Sequence, residues 1–218
     1  IGADGVQRRD VGIPADAMGH LAKVEGALAL AGDLGKRLDL FEPARQSAKK
    51  EISIHDILSE IAMAVELITD VDIVTELSEG TKNCKVCVAP LELRLAIMNL
   101  VFNGLNAIEN GDGPGAGRLT ISSRIESDPI PEYLFGLPTT KDKMFVQISV
   151  TDDGIGMDKA TLNKLDEPGY TSKSGASEGH GFGISSVRDF ARDNGGVPYF
   201  FSNLGEGTTS TLVLPLHL

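Results

Sequence analysis

The chain has no tryptophan, only two cysteines, few aromatic residues and little positive charge. It also lacks an apolar run of the roughly 18 residues that a membrane-spanning helix requires. Its 20 Lys and Arg are outnumbered by 31 Asp and Glu, and the formal net charge of -11 repels polyanions. We therefore expect neither nucleic acid nor an anionic membrane as a partner. The start at Ile1 shows no charged leader, which favours a cytoplasmic domain, and any membrane anchor is expected upstream of it.

The two cysteines, Cys84 and Cys87, form a Cys-x-x-Cys pattern. The residues around them alternate as in a strand, where positions three apart point to opposite faces. A structural zinc site would also need two further ligands nearby. We therefore predict packing roles for both cysteines rather than a metal or redox site, and reduced thiols fit a cytosolic setting.

The apolar residues, 41% of the chain, indicate a packed globular protein. Between Pro14 and Pro43 they recur at three-four spacing, which predicts a long helix of a helical bundle; a lone helix stabilised by solvent is the alternative. Residues 44–52 are rich in Lys, Arg, Gln and Ser and form the predicted linker. The predicted domains are therefore 1–50 and 51–218.

Helix and strand patterns interleave in the second domain, which indicates an α/β fold. Ser53 and Asp56 form a capping box at the start of one helix, and Pro90 opens another. Further helices are predicted at 162–165 and 184–194, and strands at 71–77, 83–89, 119–125, 144–150, 197–202 and 209–216. The proline-containing segment 126–143 is predicted to be an inserted loop.

Three asparagines interrupt the otherwise apolar helix at 91–109. Asn99, Asn103 and Asn106 are spaced so that they share one helix face. Unpaired amides on that face would cost about 1 to 3 kcal/mol each, and a bound ligand removes the cost. A side-chain carbonyl can hold a Mg²⁺ ion that bridges phosphates. Hydrogen bonds to neighbouring backbone are the alternative.

Three glycine-containing motifs follow. Residues 152–156, Asp-Asp-Gly-Ile-Gly, come after a predicted strand, and the glycines permit a tight turn and close approach to a ligand. Residues 179–183, Gly-His-Gly-Phe-Gly, precede a helix and would aim backbone N–H groups at phosphates. Residues 205–209, Gly-Glu-Gly-Thr-Thr, open the last predicted strand.

In order and content the four motifs resemble the ATP-binding catalytic domain of sensor histidine kinases, in the group that also holds gyrase, Hsp90 and MutL. The resemblance covers about residues 50 to 218. It implies a two-layer α/β sandwich, the Bergerat fold, that binds ATP and Mg²⁺ and transfers the γ-phosphoryl group to a histidine for relay to a response regulator. It also implies that residues 1–50 hold part of the dimerisation and phosphoacceptor hairpin, and hence a homodimer.

The resemblance assigns roles residue by residue. Asn103 is the implied Mg²⁺ ligand, Asp152 the acceptor for the adenine amine with Asp153 as the alternative, and 167–183 a flexible lid from which Lys173 reaches the terminal phosphate. The implied catalytic residues are Asn103, Asn99 and Lys173. The implied cofactor-binding residues are Asn103, Asn106, Asp152, Gly154, Gly156, Gly179, His180, Gly181, Phe182, Gly183, Thr208 and Thr209.

Departures from the family pattern define the alternatives. Asn99 replaces the glutamate that activates water in the hydrolysing relatives, which favours a kinase over a gyrase-like, Hsp90-like or MutL-like ATPase. Asn106, Ala107 and Leu165 stand where relatives carry a basic residue, an aromatic and Phe, so a non-catalytic nucleotide-binding module is a further alternative. His20 is followed by Leu and Ala rather than by an acidic residue, so we do not expect it to be the phosphoacceptor.

Overall fold

A computed structural model describes residues 48–111, 117–126, 144–165 and 182–217. The helix predicted between Pro14 and Pro43, the predicted loop beyond Glu126 and residues 166–181 lie outside these ranges. The division into domains 1–50 and 51–218 therefore stays a prediction.

The described residues form seven strands, four α-helices and one short 3₁₀ helix at Glu79–Asn83. In chain order they are β1 (Lys50–Ser53), α1 (Ile54–Glu66), β2 (Asp72–Leu77), β3 (Lys85–Val88), α2 (Pro90–Glu109), β4 (Arg118–Glu126), β5 (Phe145–Asp152), α3 (Lys159–Lys164), α4 (Phe182–Asp193), β6 (Val197–Asn203) and β7 (Gly207–Pro215).

Five strands form the main sheet in the order β2-β4-β5-β7-β6. Strands β2 and β4 are parallel, because the chain crosses between them through β3 and α2, whereas the other neighbours are antiparallel. Strands β1 and β3 form a separate two-stranded antiparallel sheet.

Side-chain alternation gives the main sheet one face that is buried against the helices and a more open face, on which Gln147, Thr211 and Val213 are nevertheless buried. On β5, Val146, Ile148 and Val150 are buried together with their β7 partners Leu214, Leu212 and Ser210. Residues at the intervening positions, such as Thr151 and Thr209, point to the opposite face. The buried face packs into one core with α1, α2 and α4. The predicted two-layer α/β sandwich is therefore confirmed.

The sequence signals at the helix starts act as predicted. The Ser53 hydroxyl accepts a hydrogen bond from Asp56 N at 3.2 Å, and Pro90 is the first residue of α2. By length and composition alone, helix α2 could cross a membrane, since its mean hydropathy is 1.2. Its apolar face, which includes Leu93, Ile97 and Val101, is buried in the domain core, so packing accounts for that composition.

Two expectations are corrected. The predicted linker extends to residue 52, but Lys50–Ser53 form β1, in which Ile52 lies opposite Val86 of β3. Cys87 was expected to be packed and is exposed, since it alternates with the buried Val86 and Val88; Cys84 is half-buried, and both thiols are free. The part of the chain described here contains no group of three metal-ligating side chains.

Candidate nucleotide-binding site

Asp152 ends β5 on the buried face of the sheet and is only 5% exposed. Its Oδ1 accepts a hydrogen bond from Gly154 N at 3.0 Å. Burial raises the pKa of Asp152 from its ordinary 3.8 to about 6, while backbone hydrogen bonds from Gly154 and Thr208 oppose that rise. At neutral pH the site therefore holds a buried carboxylate at the edge of the core.

The adjacent carboxylate has a different structural role. Asp153 is exposed, and its Oδ1 accepts a hydrogen bond from Arg118 N at 2.8 Å, where β4 begins. Asp153 N in turn donates to Arg118 O at 3.3 Å. Asp153 thus connects the end of β5 to the start of β4 through hydrogen bonds, whereas Asp152 faces the helices. The geometry favours Asp152 over Asp153 as the residue that contacts a ligand.

Helix α2 lies directly over Asp152 and the loop that follows it. A Cβ at Gly104 would be 2.5 Å from Leu119 Cδ1 and 3.4 Å from Asp152 Cβ. A Cβ at Gly154 would be 2.4 Å from the backbone carbon of Ala107. Gly154 was among the predicted residues, but Gly104 was not, although a glycine inside an apolar helix costs about 1 kcal/mol and signals close packing.

The turn between β6 and β7 packs against the 152–156 loop on the side opposite α2. Gly156 has φ +62°, and a Cβ there would lie 1.9 Å from Asn203 O. Gly207 has φ +92°, and a Cβ there would lie 2.0 Å from Asp152 O. Only glycine fits at these two positions, and this requirement explains the Gly-x-Gly spacing of both motifs.

The two candidate threonines separate onto opposite faces. Thr208 is paired with Asp152 across β5 and β7 and is buried, with its Oγ1 2.9 Å from Ser202 Oγ. Thr209 points to the open face, where its Oγ1 lies 3.1 Å from Thr151 Oγ1. A side chain on that face cannot reach a nucleotide held at Asp152, so the prediction narrows to Thr208.

Ser202 was not predicted and links this part of the site to the next helix. Its hydroxyl accepts from Met157 N at 2.7 Å and donates to Gly207 O at 2.9 Å. Because Met157 follows the 152–156 loop, Ser202 connects β6 to the start of the segment that leads into α3. A lone serine in a predicted strand carries no sequence signal for this role.

The asparagines of α2 differ in their hydrogen bonding. The Asn106 amide donates to Phe102 O at 2.6 Å, so the alternative of bonding to neighbouring backbone holds at this residue. Asn103 is exposed and Asn99 half-buried, and within the described ranges neither side-chain amide has a hydrogen-bond partner. Asn103 and Asn99 therefore remain available to a ligand, whereas the NH₂ of Asn106 is already engaged.

The first turn of α4 lies against these two asparagines. A Cβ at Gly183 would be 3.9 Å from Asn103 Nδ2 and 4.0 Å from Asn99 Cγ. The N-terminus of a helix carries unpaired N–H groups and a partial positive charge, so this turn suits an anion. Asn103 also precedes Gly104, which packs on Asp152, so α2 joins the anion end of the site to the carboxylate end.

Several predicted residues lie outside the described ranges. They are Lys173, Gly179, His180 and Gly181, together with the side chain of Phe182. Their roles stay predictions.

Comparison with known proteins agrees with this geometry. A family described as histidine kinase-, DNA gyrase B-, and HSP90-like ATPase matches residues 88–218. Sensor kinase CckA of Brucella abortus is 27% identical over 174 residues, 78% of this chain and 18% of that protein. Histidine protein kinase DivJ of Caulobacter vibrioides is 40% identical over 129 residues, 58% of this chain and 18% of that protein. The solved mycobacterial sensor histidine kinase MprB superposes with a TM-score of 0.58 at 16% identity, covering 78% of this chain and 99% of that one.

The fold and the site thus define an ATP-binding domain, and the family match spans more than half of the 218 residues. The chain belongs to the histidine kinase-, DNA gyrase B-, and HSP90-like ATPase family. The two curated relatives named above are sensor kinases. The chain spans less than a fifth of the length of each.

Proposed function

We propose that this domain binds ATP with Mg²⁺ and transfers the γ-phosphoryl group to a histidine that another part of the protein presents, for relay to a response regulator. One observation carries the proposal. The Asn103 amide, which has no hydrogen-bond partner among the described residues, faces the first turn of α4, while the buried Asp152 lies next to Gly104, the following residue of α2. An adenine nucleotide needs these two ends, one for its base and one for its phosphates.

The base end suits adenine. An ionised carboxylate only accepts hydrogen bonds and offers about four lone-pair sites. Gly154 and Thr208 use part of the acceptor capacity of Asp152, and the remainder can take the exocyclic amine of adenine. Guanine would place a carbonyl there, and two acceptors repel. The proposed pocket therefore discriminates against GTP.

The phosphate end suits a Mg²⁺–triphosphate. Within the described ranges no acidic cluster is available to hold a cation. The fitting protein ligand is the Asn103 amide oxygen, with the phosphates and water completing the shell. When bound, Mg²⁺ neutralises charge on the phosphates. The first turn of α4 orients them with its backbone N–H groups, and Lys173 is proposed to reach the terminal phosphate.

Asn99 favours transfer over hydrolysis. It lies beside Gly183 at the phosphate end, where a carboxylate could take a proton from an attacking water. An amide cannot act as that base, so we expect water to react slowly and a presented side chain to be the acceptor. This observation disfavours a gyrase-like, Hsp90-like or MutL-like hydrolase, and a phosphotransfer assay separates a kinase from a non-catalytic module.

The assembly is proposed from the relatives. We propose that the segment between Pro14 and Pro43, predicted to be helical, pairs with a second copy. We also propose that a receiver domain of a response regulator takes the phosphoryl group and that the domain works in the cytoplasm. Nucleic acid is not a proposed partner, because the chain carries a net charge of -11.

Labelling with γ-labelled ATP tests the transfer. The chain of 218 residues should bind ATP but gain no acid-labile phosphate, because His20 has no adjacent carboxylate to act as base. A longer chain that includes the preceding helix should be labelled. Labelling of the 218-residue chain that His20→Gln abolishes would make His20 the acceptor. ATP binding with no labelling of either chain would favour the non-catalytic module.

A further inference from the structure

We propose that Arg188 is a positioning residue that sets the separation between the base end and the phosphate end of the site. This inference rests on the proposed nucleotide-binding function. Arg188 lies on α4, and its Nη1 donates a hydrogen bond to the backbone carbonyl of Leu165. Its guanidinium also lies 5.7 Å from the centre of the Phe200 ring on β6. One side chain thus joins α4, the end of α3 and β6.

Polar contacts help to hold helix α3 in position. None of its residues is fully buried, although the helix contacts β6. At its start, Asp158 caps it by accepting from Thr161 N at 2.7 Å, and the preceding Met157 N donates to Ser202 Oγ at 2.7 Å. At its end, the Leu165 carbonyl accepts from Arg188. Replacing the arginine therefore removes a contact that holds the end of α3.

The end of α3, which accepts the hydrogen bond from Arg188, is connected along the chain to the base end and through Arg188 to the phosphate end. Helix α3 follows the 152–156 loop that carries Asp152, so its position is linked to the base end. Arg188 itself lies five residues beyond Gly183, about 7.5 Å along the same helix. Gly183 is the residue that faces Asn103 and Asn99. The contact between Arg188 and Leu165 therefore ties the connection from the base end to the helix that forms the phosphate end.

The simpler interpretation is that Arg188 is an ordinary solvent-exposed arginine of the helix. A second arginine on α4, Arg192, has the contacts expected of such a residue. The Arg192 side chain is 72% exposed and pairs only with carboxylates of its own helix, Asp189 at 2.7 Å and Asp193 at 3.5 Å. Arg188 instead is part-buried and contacts two other elements. The two residues differ in contacts but not in charge or helix, so Arg192 is a matched control.

The expected signature depends on which part of the ligand is present. ATP and ADP span both ends and require the correct separation, whereas adenosine needs only the Asp152 end. Arg188→Met should weaken ATP and ADP about 10-fold, the lower range for losing a hydrogen bond from a charged group. Adenosine affinity should change by less than about 2-fold. General damage to the fold would weaken all three ligands alike.

The experiment compares Arg188→Met, Arg188→Lys and Arg192→Met in the 218-residue chain. Calorimetry in Mg²⁺ buffer gives ATP and ADP affinities, an NMR titration gives adenosine affinity, and thermal melting without ligand reports on the fold. We expect selective loss in Arg188→Met, an intermediate loss in Arg188→Lys and none in Arg192→Met. If Arg188→Met does not fold, Arg188→Lys against Arg192→Lys decides.

Unchanged ATP affinity in Arg188→Met would overturn the inference and leave the proposed function intact. Equal losses for ATP and adenosine, or an equal loss in Arg192→Met, would also overturn it, because the effect would then be general. A wild-type chain that binds neither ATP nor ADP would contradict the proposed function itself, and the inference with it.

Discussion

Gly183 in the first turn of α4 lies beside Asn103 of α2, and a Cβ on the glycine would be in ordinary van der Waals contact with Asn103 Nδ2, at 3.9 Å. The two residues are 80 positions apart in the sequence, and the fold brings them together at the phosphate end of the proposed site. An exposed amide beside a helix N-terminus supplies one neutral oxygen ligand and several N–H donors. Such a set suits a Mg²⁺–phosphate group.

Asn103→Ala should abolish the Mg²⁺-dependent part of ATP binding, because it removes the only side-chain oxygen assigned to the ion. Calorimetry with Mg²⁺ and with EDTA measures that part. Asn106→Ala is the control: its amide already donates to Phe102 O, so we expect ATP affinity to change by less than about 3-fold. Equal ATP affinities for Asn103→Ala and wild type in Mg²⁺ buffer would contradict the assignment of Asn103 as the Mg²⁺ ligand.

Asp152→Asn should weaken ATP by about 10- to 100-fold, which corresponds to about 1.5 to 3 kcal/mol for a hydrogen bond to a charged group. Asp153→Asn is the control, since Asp153 binds the Arg118 backbone and points away from the core. Fluorescence or calorimetric titration of both variants checks the prediction. A loss confined to Asp153→Asn would show that the neighbouring carboxylate is the acceptor.

The same aspartate should make the stability of the ligand-free domain depend on pH. The folded pKa of Asp152 is raised from 3.8 to about 6, so its protonation favours the folded state. That contribution is complete below about pH 4 and is lost as the pH rises through about 6. Relative to Asp152→Asn, the wild type should lose about 2 to 3 kcal/mol of unfolding free energy over this window. Urea denaturation at several pH values measures the difference, and parallel curves for the two proteins would refute it.

Gly154→Ala should dislodge the 152–156 loop, because the new Cβ would lie 2.4 Å from the Ala107 backbone. We expect a loss of about 1 to 3 kcal/mol in unfolding free energy together with weaker ATP binding. Gly80→Ala is the control, since its Cβ would meet only side-chain ends, Ile125 Cδ1 at 3.3 Å and Ser78 Oγ at 3.7 Å, and no backbone atom within 4 Å. Denaturation and ATP titration of both variants test the prediction, which fails if Gly154→Ala binds ATP as the wild type does.

Local signals in the sequence predicted much of this fold. Ser53 and Pro90 mark helix starts because a cap and a fixed φ act within a few residues. The spacing of Asn99 and Asn103 places them on one face because helical periodicity is also local. Asp152 was predicted at a strand end because the alternating apolar run before it stops there.

Features that depend on distant contacts were missed. The four residues of β1 carry little β signal and become a strand only by pairing with β3. Alternation alone does not reveal which face of β7 is covered, so Thr208 and Thr209 could not be separated. Ser202 and Arg188 contact other elements of the fold, and a lone serine or arginine carries no sequence signal for such a role, whereas Gly104 carried a signal of close packing that did not identify its neighbour.

Calorimetric titration of the wild-type chain with ATP and with GTP in Mg²⁺ buffer tests the central claim most directly. We expect that ATP binds, that EDTA weakens its binding, and that GTP binds at least about 10-fold more weakly, because Asp152 offers only acceptors to the base. Equal binding of the two nucleotides, or no heat of binding for ATP, would contradict a site built from Asp152, Asn103 and the first turn of α4.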